Sequence, residues 1–121
     1  MKKIIFTAFH PGGANSLVPV IKHILNENKV ELLVIGHKFS KKVFQSAGIK
    51  YQTIDKYELP DVTVDPMRVL INIESPDLIV TGTSVQNNEN RIIIEHSLIV
   101  AAREEKIKTL SILDVWGCYL K

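Results

Sequence analysis

The sequence predicts an α/β domain of Rossmann-like type, a three-layer parallel sheet of about five strands in the order 3-2-1-4-5. Three observations predict it. Short apolar runs rich in β-formers alternate with segments of helical period. The first run ends in a His10-Pro11-Gly12-Gly13 turn that leads into a helix. The chain of 121 residues, 45% hydrophobic and 23% charged, is that of one globular domain with its own core.

The elements follow in order. Ile4-Ile5-Phe6-Thr7-Ala8-Phe9 reads as a buried parallel strand. Leu17, Val18, Ile21, Ile24 and Leu25 then recur at helical spacing, opposite Lys22, Asn26 and Glu27. Residues 30–35 read as a second strand closed by Gly36. Residues 41–47 read as a short helix ended by Gly48, a residue suited to a left-handed terminus. Residues 49–54 form a more polar third strand at the sheet edge, and residues 55–64 are irregular. Asp65-Pro66 opens the next helix as cap and first residue, with Val69, Leu70 and Ile73 on its buried face and Ser75-Pro76 as its stop. Residues 78–81 are the fourth strand, 82–90 a polar loop, 91–105 a helix with Ile94, Leu98, Ala101 and Ala102 on one face, and 109–113 the fifth strand. The strand–helix alternation requires right-handed crossovers with helices on both faces.

Several function classes are disfavoured. Net charge is +2 with no basic run, so nucleic acid is not the expected partner. Cys118 is the only cysteine, which rules out an internal disulfide and speaks against a cysteine-built metal site. His23, His37 and His96 make no zinc spacing with one another. No metal or cofactor is expected. The N-terminal apolar run is too short for a signal peptide, and no stretch approaches the ~20 apolar residues of a membrane helix. The expected location is cytoplasmic.

In a sheet of this kind ligands bind beyond the carboxyl ends of the strands where the winding reverses, here between the first and fourth strands. Two loops are expected to meet there. In the first, Pro19 lacks an amide hydrogen and fits a first helical turn, so the helix is expected to begin at about Ser16, with Ser16 as cap. Amides from Gly13 to Leu17 would then face an anion or a sugar hydroxyl. The candidate ligand contacts are Gly12, Gly13, Ala14, Asn15 and Ser16, joined by Gly82, Thr83 and Ser84 of the second loop. A glycine turn that only lets the helix pack close is the alternative reading of the first loop. His10, Asp114 and Glu89 are the candidate acid/base groups, because each lies beside a strand end or in the second loop. Asp114 could equally cap the next turn, and Glu89 could simply complement a helix N-terminus. Neither a dinucleotide GxGxxG loop with its ribose acid nor a GxxxxGK[ST] loop is present. Trp116 and Tyr119 read as core or interface aromatics.

The first strand with Pro11-Gly12-Gly13, the helix carrying Pro19, Ser46-Ala47-Gly48-Ile49, the run Ser75 to Ser84, and Ala101-Ala102-Arg103-Glu104-Glu105 leading into the last strand resemble the N-terminal half of GT-B glycosyltransferases and of UDP-N-acetylglucosamine 2-epimerase-like proteins. The resemblance covers most of the chain. It implies that Gly12 and Gly13 face an inter-domain cleft near a glycosyl acceptor and a sugar-nucleotide diphosphate, and that His10 or a neighbour serves as a base. The sequence departs from the lipid-linked N-acetylglucosaminyltransferases in carrying Ala14 where they place a histidine. The resemblance also implies a second domain or subunit holding most of the sugar nucleotide, so that residues 1–121, a single domain, would not be fully active alone. The expected function is therefore the acceptor-side, cleft-forming domain of such an enzyme. The alternatives are a non-catalytic module for a small anion or nucleotide, and an interaction subunit that recruits a catalytic partner, or oligomerises, through an unfinished C-terminal edge.

Overall fold

The computed structural model describes residues 2–82 and 93–112. Strand β1 (Lys3–Ala8) is followed by α1 (Pro11–Glu27), β2 (Glu31–Gly36), α2 (Ser40–Ser46), a 3-10 turn (Ile54–Tyr57), α3 (Val64–Glu74), β3 (Leu78–Gly82), α4 (Ile94–Glu104) and β4 (Lys108–Ile112). All strand pairs are parallel, and the described sheet runs β2-β1-β3-β4.

The period of two along each strand builds two separate cores. Phe6 lies in register between Val34 and Val80, and this layer packs with Ala14, Leu17 and Ile21 of α1 and Phe44 of α2. Ile5 and Ile79, one step along, turn to the opposite face and meet Met67, Leu70 and Ile71 of α3 and Ile94 and Leu98 of α4. The two sets of helices thus cover both faces, as the near-continuous apolar strands require. On the α3/α4 side, the hydroxyl of Thr7 donates to the Ile35 carbonyl at 2.9 Å, so a polar side chain is carried inside without loss of a partner.

The expectation of five strands in the order 3-2-1-4-5 is corrected to four among the described residues, in the order β2-β1-β3-β4. Residues 49–54 form no strand. A single parallel bridge joins Gln52 to Ile35, with Gln52 N donating to Val34 O and Gln52 O accepting from Gly36 N, both at 2.8 Å. The reason lies in what the segment must do. Ile49 belongs to the α1/α2 core and Ile54 packs against the α3/α4 core. The chain therefore wraps around the sheet edge and touches it at one residue.

The start of α1 is corrected as well. Pro11, not Ser16, begins the helix, His10 occupies the cap position with extended backbone, and Pro19 lies inside. Ser16 Oγ donates to Gly12 O at 3.1 Å, a bond made within the helix. Proline at the first helical position suits Pro11, whose missing donor would be orphaned anyway. The apolar stripe of α1 outweighs the one bond that Pro19 deletes.

In α3 the cap is Thr63 rather than Asp65. Its own hydroxyl is taken by Asp61 Oδ1 at 2.6 Å, and Asp65 instead holds Arg68 from the first turn at 2.8 Å. The buried face is Met67, Leu70 and Ile71, while Val69 and Ile73 are exposed. The helix does stop at Ser75, whose backbone is left-handed. The described part of the last helix begins at Ile94, and its buried face includes Leu98, Ala101 and Ala102 as expected.

Candidate functional site

The winding of the described sheet reverses between β1 and β3, so the candidate site is the carboxyl edge of those strands. Helix α1 enters this edge with its first turn. Ala14 N donates to His10 O at 3.1 Å, and the side chain of His10 makes no capping bond. The amides of Gly12 and Gly13 precede that first bond and remain outside the helical ladder at its positive end.

The two buried glycines have a definite packing role. A methyl carbon added to Gly82 would lie 2.9 Å from Gly13 Cα, 2.9 Å from Glu95 Oε2 and 3.2 Å from the Ala8 methyl. The backbone of α1 therefore runs directly against the end of β3, and only small residues permit it. Gly13 is less crowded, with its nearest neighbour at 3.4 Å.

Over this junction sits Glu95, 1% exposed, from the first turn of α4. Sequence reasoning overlooked it, although the helical period contains the signal. Glu95 stands three and seven residues before Leu98 and Ala102, on the stripe that is buried, so a carboxylate on that stripe was bound to point inward.

His10 is half-buried among aromatic rings. Its ring meets Phe9 edge-on at 4.6 Å and lies nearly parallel to Phe39 at 6.4 Å, with 11° between the planes. Phe39 comes from a tight turn after β2, where Ser40 Oγ accepts from His37 N at 2.8 Å and donates to His37 O at 2.9 Å. Burial pushes the His37 imidazole down to about 4, helped by the positive charges of Lys38 and Lys41.

The expected contact residues are divided by the fold. Gly12 and Asn15 are exposed, Ser16 is half-buried, and Gly13 and Gly82 are buried at the junction. Ala14 is fully buried in the α1/α2 core and its amide is bonded within the helix, which corrects the expectation of free amides through Leu17. Asp114, Glu89, Thr83 and Ser84 lie outside the described residues. Among the described residues no three His, Cys, Asp or Glu side chains group to hold a metal, and no helix is long and apolar enough to cross a membrane.

No protein-family model matches the sequence, and no curated protein is similar to it. Solved structures are similar in fold. UDP-N-acetylglucosamine 2-epimerase from Neisseria meningitidis bound to UDP-GlcNAc superposes with a TM-score of 0.70 at 14% identity, over 91% of this chain and 32% of that one. The S. aureus MnaA–UDP co-structure gives 0.69 at 17% identity, over 93% and 29%. A 2-epimerase assigned from Listeria monocytogenes gives 0.66 at 14%, over 93% and 30%. The chain thus has the Rossmann-like fold of one part of these structures and spans about a third of their length.

Proposed function

We propose that this domain forms one wall of a sugar-nucleotide cleft, as the N-terminal half of a GT-B-like enzyme of the 2-epimerase or glycosyltransferase kind. The observation that carries the reading is the carboxyl edge of β1 and β3. There the first turn of α1 at Gly12-Gly13, the half-buried His10 and the buried Glu95 side chain converge at the reversal of the winding. The shared fold with structures described as holding UDP or UDP-GlcNAc supports it.

In this reading the Gly12 and Gly13 amides face a diphosphate oxygen with the helix dipole behind them. His10 is placed to exchange a proton with a sugar or acceptor hydroxyl. Asp114 and Glu89 are proposed as further acid/base groups, and Thr83 and Ser84 as hydroxyl contacts, from their places in the sequence. Glu95 acts one step back, as a positioning residue whose carboxyl group packs behind the Gly13–Gly82 junction. The rest of the cleft and full activity come from a second domain or a partner subunit. The exposed strand β4, with Leu110 53% accessible, favours a partner or a further element on that edge.

The test is an amide-resolved NMR titration with UDP-GlcNAc, UDP and inorganic phosphate. The expected result is displacement of the Gly12, Gly13 and His10 signals by both nucleotides. A response to phosphate alone, equal in strength, would reduce the site to a simple anion seat; no response at these residues would sink the reading.

A further inference from the structure

A second concavity lies on the α1/α2 side of the same edge, a groove of about 690 Å³ between the first turns of α1 and the body of α2. Its wall is apolar where the helices face each other, through Val18, Val43 and Ala47. At the rim stands Phe39, 56% exposed, an unusual cost for a large aromatic ring. Lys38 and Lys42 also line the groove, and among the described residues no carboxylate does. Neither lysine forms an ion pair among the described residues, although those residues hold ion pairs elsewhere. Burial is the main cause that lowers the His37 titration, and the neighbouring charge of Lys38 adds to it.

The presentation of these groups is built rather than incidental. Lys38 has φ 56, a left-handed conformation that glycine adopts more readily, and it is held there by the paired Ser40–His37 bonds. The same turn sets Phe39 against Phe9 at 5.7 Å. An ammonium and a phenyl ring are thereby fixed side by side at the mouth.

We infer that the α1/α2 groove binds a phosphate-headed amphiphile, with its hydrocarbon body along Val18, Val43 and Phe39 and its head between Lys38 and Lys42. Charge complementarity selects an anion, and two uncompensated ammonium groups suit a phosphate. The wall selects an apolar body. Among the described residues Asn15 and Ser46 are the other polar liners, too few of themselves to read the edge of a base and the hydroxyls of a ribose together. The inference stands on the groove alone and does not require the sugar-nucleotide reading.

The probe is octyl phosphate below its micelle-forming concentration, followed by calorimetry and by amide NMR, with inorganic phosphate and octyl glucoside as separate arms. Octyl phosphate is expected to displace the Asn15, Val18, Phe39 and Val43 signals, and each control to bind at least about tenfold more weakly. The Lys38→Gln/Lys42→Gln pair is expected to weaken octyl phosphate by about tenfold or more. Ser46→Trp, a change at an exposed groove position, is expected to block it while leaving the UDP-GlcNAc response at Gly12 and Gly13 intact. Equal binding of inorganic phosphate, equal binding of octyl glucoside, or unchanged octyl phosphate affinity in the lysine pair would each overturn the inference. If Ser46→Trp does not fold, the lysine pair, whose side chains are outside the core, decides alone. Loss of the nucleotide response with the groove result intact would count against the proposed function only.

Discussion

Gly82 has no spare space on any side, and this makes its substitution the sharpest residue-level test. Gly82→Ala places a methyl 2.9 Å from the Gly13 backbone and is expected to destabilise the domain by about 1–3 kcal/mol, measured by urea unfolding. Gly13→Ala, with its nearest contact at 3.4 Å, is expected to cost less. Gly13→Val, which adds bulk beyond that contact, is therefore expected to impair packing as well as any ligand. His37 supplies a pH test. Its folded-state titration lies at about 4, below the ordinary 6.5, so the folded state binds protons less readily than the unfolded one. The associated stability is present above pH 6.5 and is lost as pH falls toward 4. A plot of melting temperature against pH should be flatter over this interval in His37→Gln than in the parent; identical slopes would refute the assignment.

At the scale of elements, α1 carries its proline nine positions in and still forms. Pro19 removes the donor that would meet the Asn15 carbonyl. Because Pro19 is exposed, Pro19→Ala is expected to restore that bond without disturbing the core and to stabilise the protein by about 1–3 kcal/mol in thermal unfolding. Another tie joins elements at the amino edge of the sheet. Glu74, at the end of α3, accepts from Lys3 of β1 and from the Tyr57 hydroxyl, the latter at 2.6 Å. Burial alone would raise the Glu74 pKa, but the bonds from Lys3 and Tyr57 outweigh it and hold it below the ordinary value. Burial and the bond to Glu74 push the Tyr57 hydroxyl up, so it stays a donor. Glu74→Gln is expected to cost about 1–3 kcal/mol at neutral pH, read from a shift in the urea midpoint.

For the molecule as a whole, the alternation of strand and helix was legible because β1, β2 and β3 carry buried apolar residues and each long helix has one dominant stripe. β1, β2, β3 and the Gly48 terminus of α2 stand where the pattern placed them, the last with φ 74. The third strand was not legible as absent, since a segment that wraps an edge uses the same residue types as one that extends it. The α1 boundary was misjudged because a propensity rule for one proline competed with the burial of Ala14, Leu17 and Ile21, and burial prevailed. Of the candidate site, the place of His10 at the end of the first strand was readable in the chain. Glu95 was hidden by being read as one polar residue in an apolar run, when its helical phase was the informative property. The apolar groove beside α2 could not be read at all, because it exists only between two helices that pairing of β1 with β2 brings together.

The central position of β1 also dictates an order of assembly. Its first residues pair with Glu31 on one side and with Leu78 on the other, so both of its neighbours lie later in the chain. The β1–α1–β2 unit can close first as a local crossover. The second flank of β1 stays open until β3 has left the ribosome, and closing that larger loop carries the greater entropic cost. During that interval Ile5 and its neighbours on the α3/α4 face lack their cover, and a nascent chain halted before residue 78 should be the species that engages chaperones.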